Sequence, residues 1–249
     1  MRGPISGCVV FENMSGNRYE VWRKHLIVLD EKRCKDIFNR LDISYDDDRV
    51  IGNDVRRTSL TRDKGELELL LHLYAHVHRS DGYVQGMNNL MAMLMHVFPS
   101  RWERWWSFTR LMVYVRPMIP EFHPRWSKWF HTHWLVKYKT ILRDMNRQLY
   151  DVLMDDQSFE EISRLMTFRW FFIWFTQTFN QQDLLIIWDA LITIPHHRRI
   201  GLMCAIAAAI TSQAQKTILG FDRSERTYQI INIQAHHPLE ILKRVKGYY

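Results

Sequence analysis

Apolar positions along the 249-residue chain recur with the period of a helix far more than with that of a strand. Leu67, Leu70, Leu71 and Tyr74 fall at i, i+3, i+4 and i+7, the stripe that one face of an α-helix buries. Trp102, Trp105, Trp106 and Thr109 repeat that stripe, as do Trp126, Trp129, Phe130 and His133, which places the tryptophans at core spacing. Asp63 with Glu66, and Ser158 with Glu161, have capping-box spacing and mark helix starts. Another helix starts near Met87. Strand-like alternation between turn dipeptides is scarce, and 10 Gly and 7 Pro are too few for a sandwich or barrel. The pattern predicts an all-α protein with about ten or more helices.

Phe168 to Phe175 is apolar on nearly every side and predicts a helix in the interior. Arg169 within that run is the anomaly, because a buried guanidinium needs partners. Loops are expected over 42–49, with its Asp46-Asp47-Asp48 run, and over 195–199. No repeat of fixed period occurs, and no linker is long or polar enough to separate two domains. The expected organisation is an N-terminal arm over 1–17 and one domain over 18–249.

Composition narrows the class. A hydrophobic share of 47% excludes disorder, and the length suffices for a large core without disulfides. Cys8, Cys34 and Cys204 are odd in number and far apart, which fits a reducing compartment and argues against thiolate zinc. The first residues lack a secretory apolar core, and the charge-free stretch from Ile200 to Gln215 is shorter than the roughly 20 residues of a membrane span. A cytoplasmic protein is expected.

The net charge of +7 is unevenly placed. Ten Lys and Arg between Arg101 and Arg147 face only Glu103, Glu121 and Asp144, so this segment holds the whole excess. Six of the ten tryptophans lie there too. Such mixtures can bind nucleic acid or a membrane surface. The tryptophan spacing favours ordinary amphipathic helices, disfavours nucleic acid and leaves an anionic membrane surface open.

Several chemistries drop out. There is no Gly-x-x-x-x-Gly-Lys-Ser/Thr loop, no Gly-x-Gly-x-x-Gly and no Gly-x-Ser-x-Gly elbow. His72 and His76 stand four apart with His78 following, but Leu73 occupies the place where a metalloprotease helix needs Glu. Core or solvated histidines are the better reading there, and His131-x-His133, His196-His197 and His236-His237 are weaker still. No metal or cofactor of the chain's own is expected.

Three patterns remain, in order. They are Ile51-Gly52-Asn53-Asp54-Val55-Arg56-Arg57-Thr58, Asp81-Gly82-Tyr83-Val84-Gln85-Gly86-Met87-Asn88, and Phe168-Arg169-Trp170 followed by Asp183 to Leu191 with Trp188-Asp189 inside it. Each has a plain explanation alone: Asp54 and Arg57 as an exposed helical pair, Gln85-Gly86 as a turn, Trp188 as core. Chemistry alone does not separate Arg56 from Arg57.

Together they resemble the TBC-domain family of Rab GTPase-activating proteins, with supporting matches from Arg18-x-x-Val21-Trp22-x-x-x-Leu26 to about Leu191. The resemblance implies an all-α, V-shaped fold of two helical lobes. It implies a protein that speeds GTP hydrolysis on a GTP-bound Rab, in vesicle traffic, with nucleotide and Mg²⁺ carried by the GTPase. It implies Arg57 as arginine finger and Gln85 as glutamine finger. Ile51, Asp54, Thr58, Tyr83, Gly86, Met87 and Asn88 would shape the two finger segments, with Trp170, Trp188 and Asp189 completing the pattern. Arg169 would brace the finger loops through Asp54 or backbone carbonyls. Ser59-Leu60 replaces the family's usual Phe-Pro, which suggests a divergent member. A monomer at most peripheral on endomembranes is expected. A non-catalytic Rab-binding scaffold and an anion-binding helical module remain the alternatives.

Overall fold

The structure, a computed structural model, describes residues 17–41, 49–80, 82–119, 124–155 and 159–249, with backbone only for 126, 160, 161, 223, 224 and 227. The helices α1 (Arg18–Leu26), α2 (Glu31–Phe38), α3 (Arg49–Arg57), α4 (Lys64–Val77), α5 (Met87–Met95) and α6 (Arg101–Val115) pack on one another. A 3₁₀ turn over Arg116–Met118 then leads into the second group. This comprises α7 (Pro124–Met145), α8 (Arg147–Met154), α9 (Phe159–Met166), α10 (Gln181–Thr193), α11 (His196–Gln213), α12 (Gln215–Leu219), α13 (Arg223–Ile231) and α14 (Pro238–Arg244). Among the described residues the only β feature is one parallel bridge, Phe179 with Ala235. The helical periodicity is therefore borne out.

Local chemistry explains several ends. Asp63 accepts the Glu66 amide at the start of α4, but Glu66 turns away to Arg101 and Arg104 instead of closing the capping box. The reciprocal arm occurs at α6, where Glu103 accepts both the amide and the hydroxyl of Ser100. Ser158 and residues 42–48 lie outside the described residues. The loop expected over 195–199 is instead the start of α11, with Pro195 as its N-cap. Proline has no amide to leave unsatisfied at a helix entry, so what looks like a breaker is a starter.

The two groups share one continuous core. α7 and α11 lie along each other, and α1 leaves its own group to pack on α10. Asp189 of α10, 4% exposed, accepts Arg18 Nε and Nη2 and Trp22 Nε1, each at 2.8 Å. Trp22 also stacks on Trp188 at 5.8 Å between ring centroids. Arg199, a buried residue in the first turn of α11, donates to the Leu191 carbonyl and lies 4.0 Å over the Tyr114 ring of α6.

The run from Phe168 to Phe175 is buried at most of its positions, as expected, but it is not a regular helix. Thr167–Phe172 winds as a π-helix, and Trp174 and Phe175 then take φ of 48° and 62°. Bulky residues enter the left-handed region at a cost of about 1–2 kcal/mol each. Core packing offsets that cost: both rings are fully buried, and Trp188 Nε1 donates to the Trp174 carbonyl at 3.0 Å.

Candidate functional site

The first pattern forms α3. Its apolar side, Ile51 and Val55, enters the core, and Asp54 is 4% exposed beside them. A buried carboxylate must be paired, and Asp54 is. Its Oδ1 meets Arg57 Nη2 at 2.5 Å, and its Oδ2 accepts the Tyr83 hydroxyl at 2.7 Å. Arg57, at the exposed last turn of α3, thus rests on Asp54 from solvent, while Arg56 turns to Asn53.

The second pattern forms the turn into α5. Gly86, the N-cap of α5, has φ 104°, open to glycine and strained for other residues. A Cβ there would also stand 2.6 Å from Ile173 Cγ2 and 3.2 Å from Phe168 and Phe172. The backbone can press onto this apolar floor only because Gly86 has no side chain. The turn leaves Gln85 exposed at its tip, next to the amide end of α5.

The two segments are bonded to each other. Asn88 Nδ2 donates to Thr58 Oγ1 at 2.7 Å and to the Asp54 carbonyl, and its Oδ1 accepts the Gly86 amide at 3.1 Å. Thr58 in turn donates to the Asp54 carbonyl at 2.7 Å. Tyr83 is driven far above the ordinary phenol range by burial first and by Asp54 second, so it stays a donor. Asp54 is therefore the hub: its carboxylate holds Arg57 with one oxygen and the Gln85 loop with the other. Met87 buries its side chain beneath the turn, with Sδ 3.4 Å from the Val84 amide.

Not every expected residue joins this cluster. Arg169 does not bond Asp54; its Nη1 donates to the Ile231 carbonyl at 2.5 Å and to Asn232 Oδ1. The π-helix brings it to the end of α13, so the bracing through Asp54 is corrected, and the carbonyl it does bond belongs to α13 rather than to a finger segment. Trp170 is packed between Tyr138 and Phe175, and Trp188 and Asp189 serve the α1–α10 contact. Residues missed in the sequence include Lys64, which donates to the Thr58 carbonyl, and the floor of Phe168, Phe172 and Ile173. The i, i+4 spacing of the two phenylalanines was the available signal. At the altered Ser59-Leu60, His96 bonds the Leu60 carbonyl. Among the described residues no group of three His, Cys, Asp or Glu is placed to hold a metal ion.

Beside Gln85 opens a cleft of about 780 Å³, between the turn, the start of α7 and the α9–π-helix junction. Phe168 and Phe172 form part of its wall as well as the floor beneath Gly86.

Known proteins share the sequence pattern and the fold of this chain. The Rab-GTPase-TBC domain profile matches residues 15–219. Human TBC1 domain family member 17 is 29% identical over 187 residues, covering 71% of this chain and 27% of that protein. Its mouse counterpart is 28% identical over 212 residues, covering 80% and 31%. Human TBC1 domain family member 13 is 27% identical over 190 residues, covering 72% and 46%. The chain spans less than half the length of these curated relatives. Among solved structures, the Ypt/Rab-GAP domain of Gyp1p shares the fold with a TM-score of 0.60 at 14% identity, covering 94% of this chain and 79% of that one.

Proposed function

The chain belongs to the Rab-GTPase-TBC domain family, and from that premise we propose that it accelerates GTP hydrolysis on a Rab-type GTPase by supplying Arg57 and Gln85 in trans. The observation that carries this reading is the Asp54 hub, which ties the two finger segments into one unit while leaving both finger side chains exposed.

The chemistry suits the residue types. Negative charge spreads over the phosphoryl oxygens in the transition state, and a planar, permanently charged guanidinium bonds it well. Such a finger contributes about 10³ to 10⁵ in rate. The Gln85 amide donates and accepts at once, so it can hold the attacking water while contacting the phosphate. The amide end of α5 adds positive potential beside it. Asp54 keeps Arg57 extended from α3 until the phosphates replace it as partner. Nucleotide and Mg²⁺ come with the GTPase. On this reading the protein acts in vesicle traffic; no helix among the described residues is long and apolar enough to cross a membrane.

The test is phosphate release from a panel of GTP-loaded Rab proteins. Wild type speeds at least one of them, and Arg57→Ala and Gln85→Ala each lower the rate by about 10²-fold or more. A panel in which no member responds, or in which both variants match wild type, rejects the catalytic reading and leaves a binding scaffold.

A further inference from the structure

The start of α11 gathers positive charge where a helix already carries its own. Its first turn, His196 to Arg199, contains no acidic residue, although the unbonded amides of a helix start favour negative charge. Arg199 is 5% exposed. Its Nε donates to the Leu191 carbonyl at 2.7 Å, but its Nη1 is buried and meets no acceptor among the described residues. Further positive groups surround the Tyr114 ring of α6: the Arg199 guanidinium lies 4.0 Å from it, the Arg110 guanidinium 5.3 Å and the His196 ring 5.2 Å. Arg110 Nε is likewise buried without an acceptor, and so is Nε1 of Trp174, whose ring stands 5.7 Å from the Arg199 guanidinium. His25, in the last turn of α1, is held below its usual 6.5 by burial first, then by Lys24 and Arg199. The carboxylates of α1, α6 and α10, the helices that meet α11 here, are engaged elsewhere. Glu103 bonds Ser100 and Tyr19, Asp183 bonds Asn180, and Asp189 bonds Arg18 and Trp22. Glu20 stands in the first turn of α1, at the opposite end from His25. Arg198 is held by the Tyr249 carbonyl and ring and stays out of the cluster.

We propose that this cluster is a binding site for a phosphate group, which Arg110 and Arg199 clasp over the first amides of α11, with His196 and His25 at the rim. Two permanent guanidinium charges and a helix N-terminus together suit a tetrahedral dianion better than a single carboxylate. A buried donor without an acceptor has lost its hydration, so oxygens delivered to Arg199 Nη1 and Arg110 Nε restore bonds that folding removed. His196 is exposed, and a turn of its ring admits the anion to the donors beneath. The competing account is purely structural: Arg199 would serve only to bond the end of α10 and to stack on Tyr114. That account leaves the unpartnered donors and the acid-free helix start without a purpose. The site shares no residue with the finger segments or with the cleft beside Gln85, and it does not rest on the GTPase-activating reading. A soluble phosphate and a lipid phosphomonoester headgroup present the same oxygens, and the experiment separates them.

The experiment is calorimetric titration of the full chain with inorganic pyrophosphate at low salt, together with sedimentation on phosphatidylcholine vesicles that contain phosphatidic acid or phosphatidylserine. Wild type binds pyrophosphate, phosphatidic acid or both. Arg110→Gln weakens that binding about tenfold. His196→Glu weakens it about a hundredfold or more, while its new carboxylate, at a helix start among these cations, raises the thermal midpoint. Those opposite effects separate a blocked site from a damaged fold. Arg147→Gln removes the same charge from α8, where Arg147 pairs with Asp151, and leaves binding unchanged. Pyrophosphate binding without sedimentation identifies the occupant as a soluble phosphate. Sedimentation on phosphatidic acid that His196→Glu abolishes identifies it as a lipid headgroup. A wild type that binds neither probe overturns the proposal, as does equal affinity in wild type, Arg110→Gln and His196→Glu. Equal sedimentation on phosphatidylserine and phosphatidic acid, without pyrophosphate binding, also overturns it, because a diffuse basic surface then accounts for the attraction.

Discussion

Gly82 and Gly86 bracket the glutamine turn with different demands. Both have positive φ, but a Cβ at Gly82 meets nothing within 4 Å, whereas one at Gly86 collides with Ile173. Gly82→Ala therefore costs only backbone strain, about 1 kcal/mol. Gly86→Ala adds overpacking and costs about 2–4 kcal/mol, with the finger activity lost alongside. Urea unfolding of the two variants checks the difference; equal costs would mean that the aromatic floor yields freely. Asp54→Asn keeps the shape but removes the charge that holds Arg57, and it lowers stability by about 1–2 kcal/mol together with the hydrolysis rate. Chemical denaturation and phosphate release measure both. The i, i+3 spacing of Asp54 and Arg57 was legible in the sequence, but as an exposed pair of little consequence. The burial of Asp54 and its bond to Tyr83 were not, because contacts between residues 29 apart leave no trace in local periodicity.

At the scale of elements, periodicity was a good guide to which segments are helical and a poor one to their faces. Trp105 is buried as its stripe predicts, yet Trp129 is 51% exposed and stacks on His133 at the surface of α7. An apolar stripe wider than the contact it serves leaves residues outside, and sequence alone cannot draw that edge. The run from Phe168 to Phe175 shows the opposite limit, for its burial was legible but its π-winding depends on neighbours. The α1–α10 tie has a measurable strength. Asp189→Ala removes the acceptor of Arg18 and Trp22 at once and destabilises by about 2–4 kcal/mol in urea; a loss below about 0.5 kcal/mol would show that the stacking of Trp22 on Trp188 suffices. The start of α11 responds to pH. His196 is lowered below its usual 6.5 by burial first, then by Arg199, Arg110 and His197. The unfolded chain takes the proton first, so this contribution is complete above about pH 6.5 and is lost as the pH falls through the window just beneath. His196→Asn should flatten the decline in urea midpoint there, and an unchanged decline would assign it to other groups.

For the whole molecule, the shared core across both helix groups implies a single cooperative transition despite the chain length. Far-ultraviolet circular dichroism and tryptophan fluorescence should report one coincident urea midpoint; two separated midpoints would mean that α1–α6 and α7–α14 unfold independently. The helical class was plain from the sequence, and the charge excess could be located there, but its division among partners could not. Arg101 and Arg104 bind Glu66, and Arg147 binds Asp151, whereas Lys128 lines the cleft. Arg169 carries one further consequence, for anyone cloning the domain. Its acceptors, Ile231 and Asn232, lie past residue 219, where the family profile's match ends, as do the buried Ile230, Ile241, Leu242 and Val245. A gene fragment ended at Leu219 strips a guanidinium of its carbonyl and bares the outer sides of α9, α10 and α11. Its product should collect in the insoluble fraction, while a fragment carried through Tyr249 remains in the supernatant.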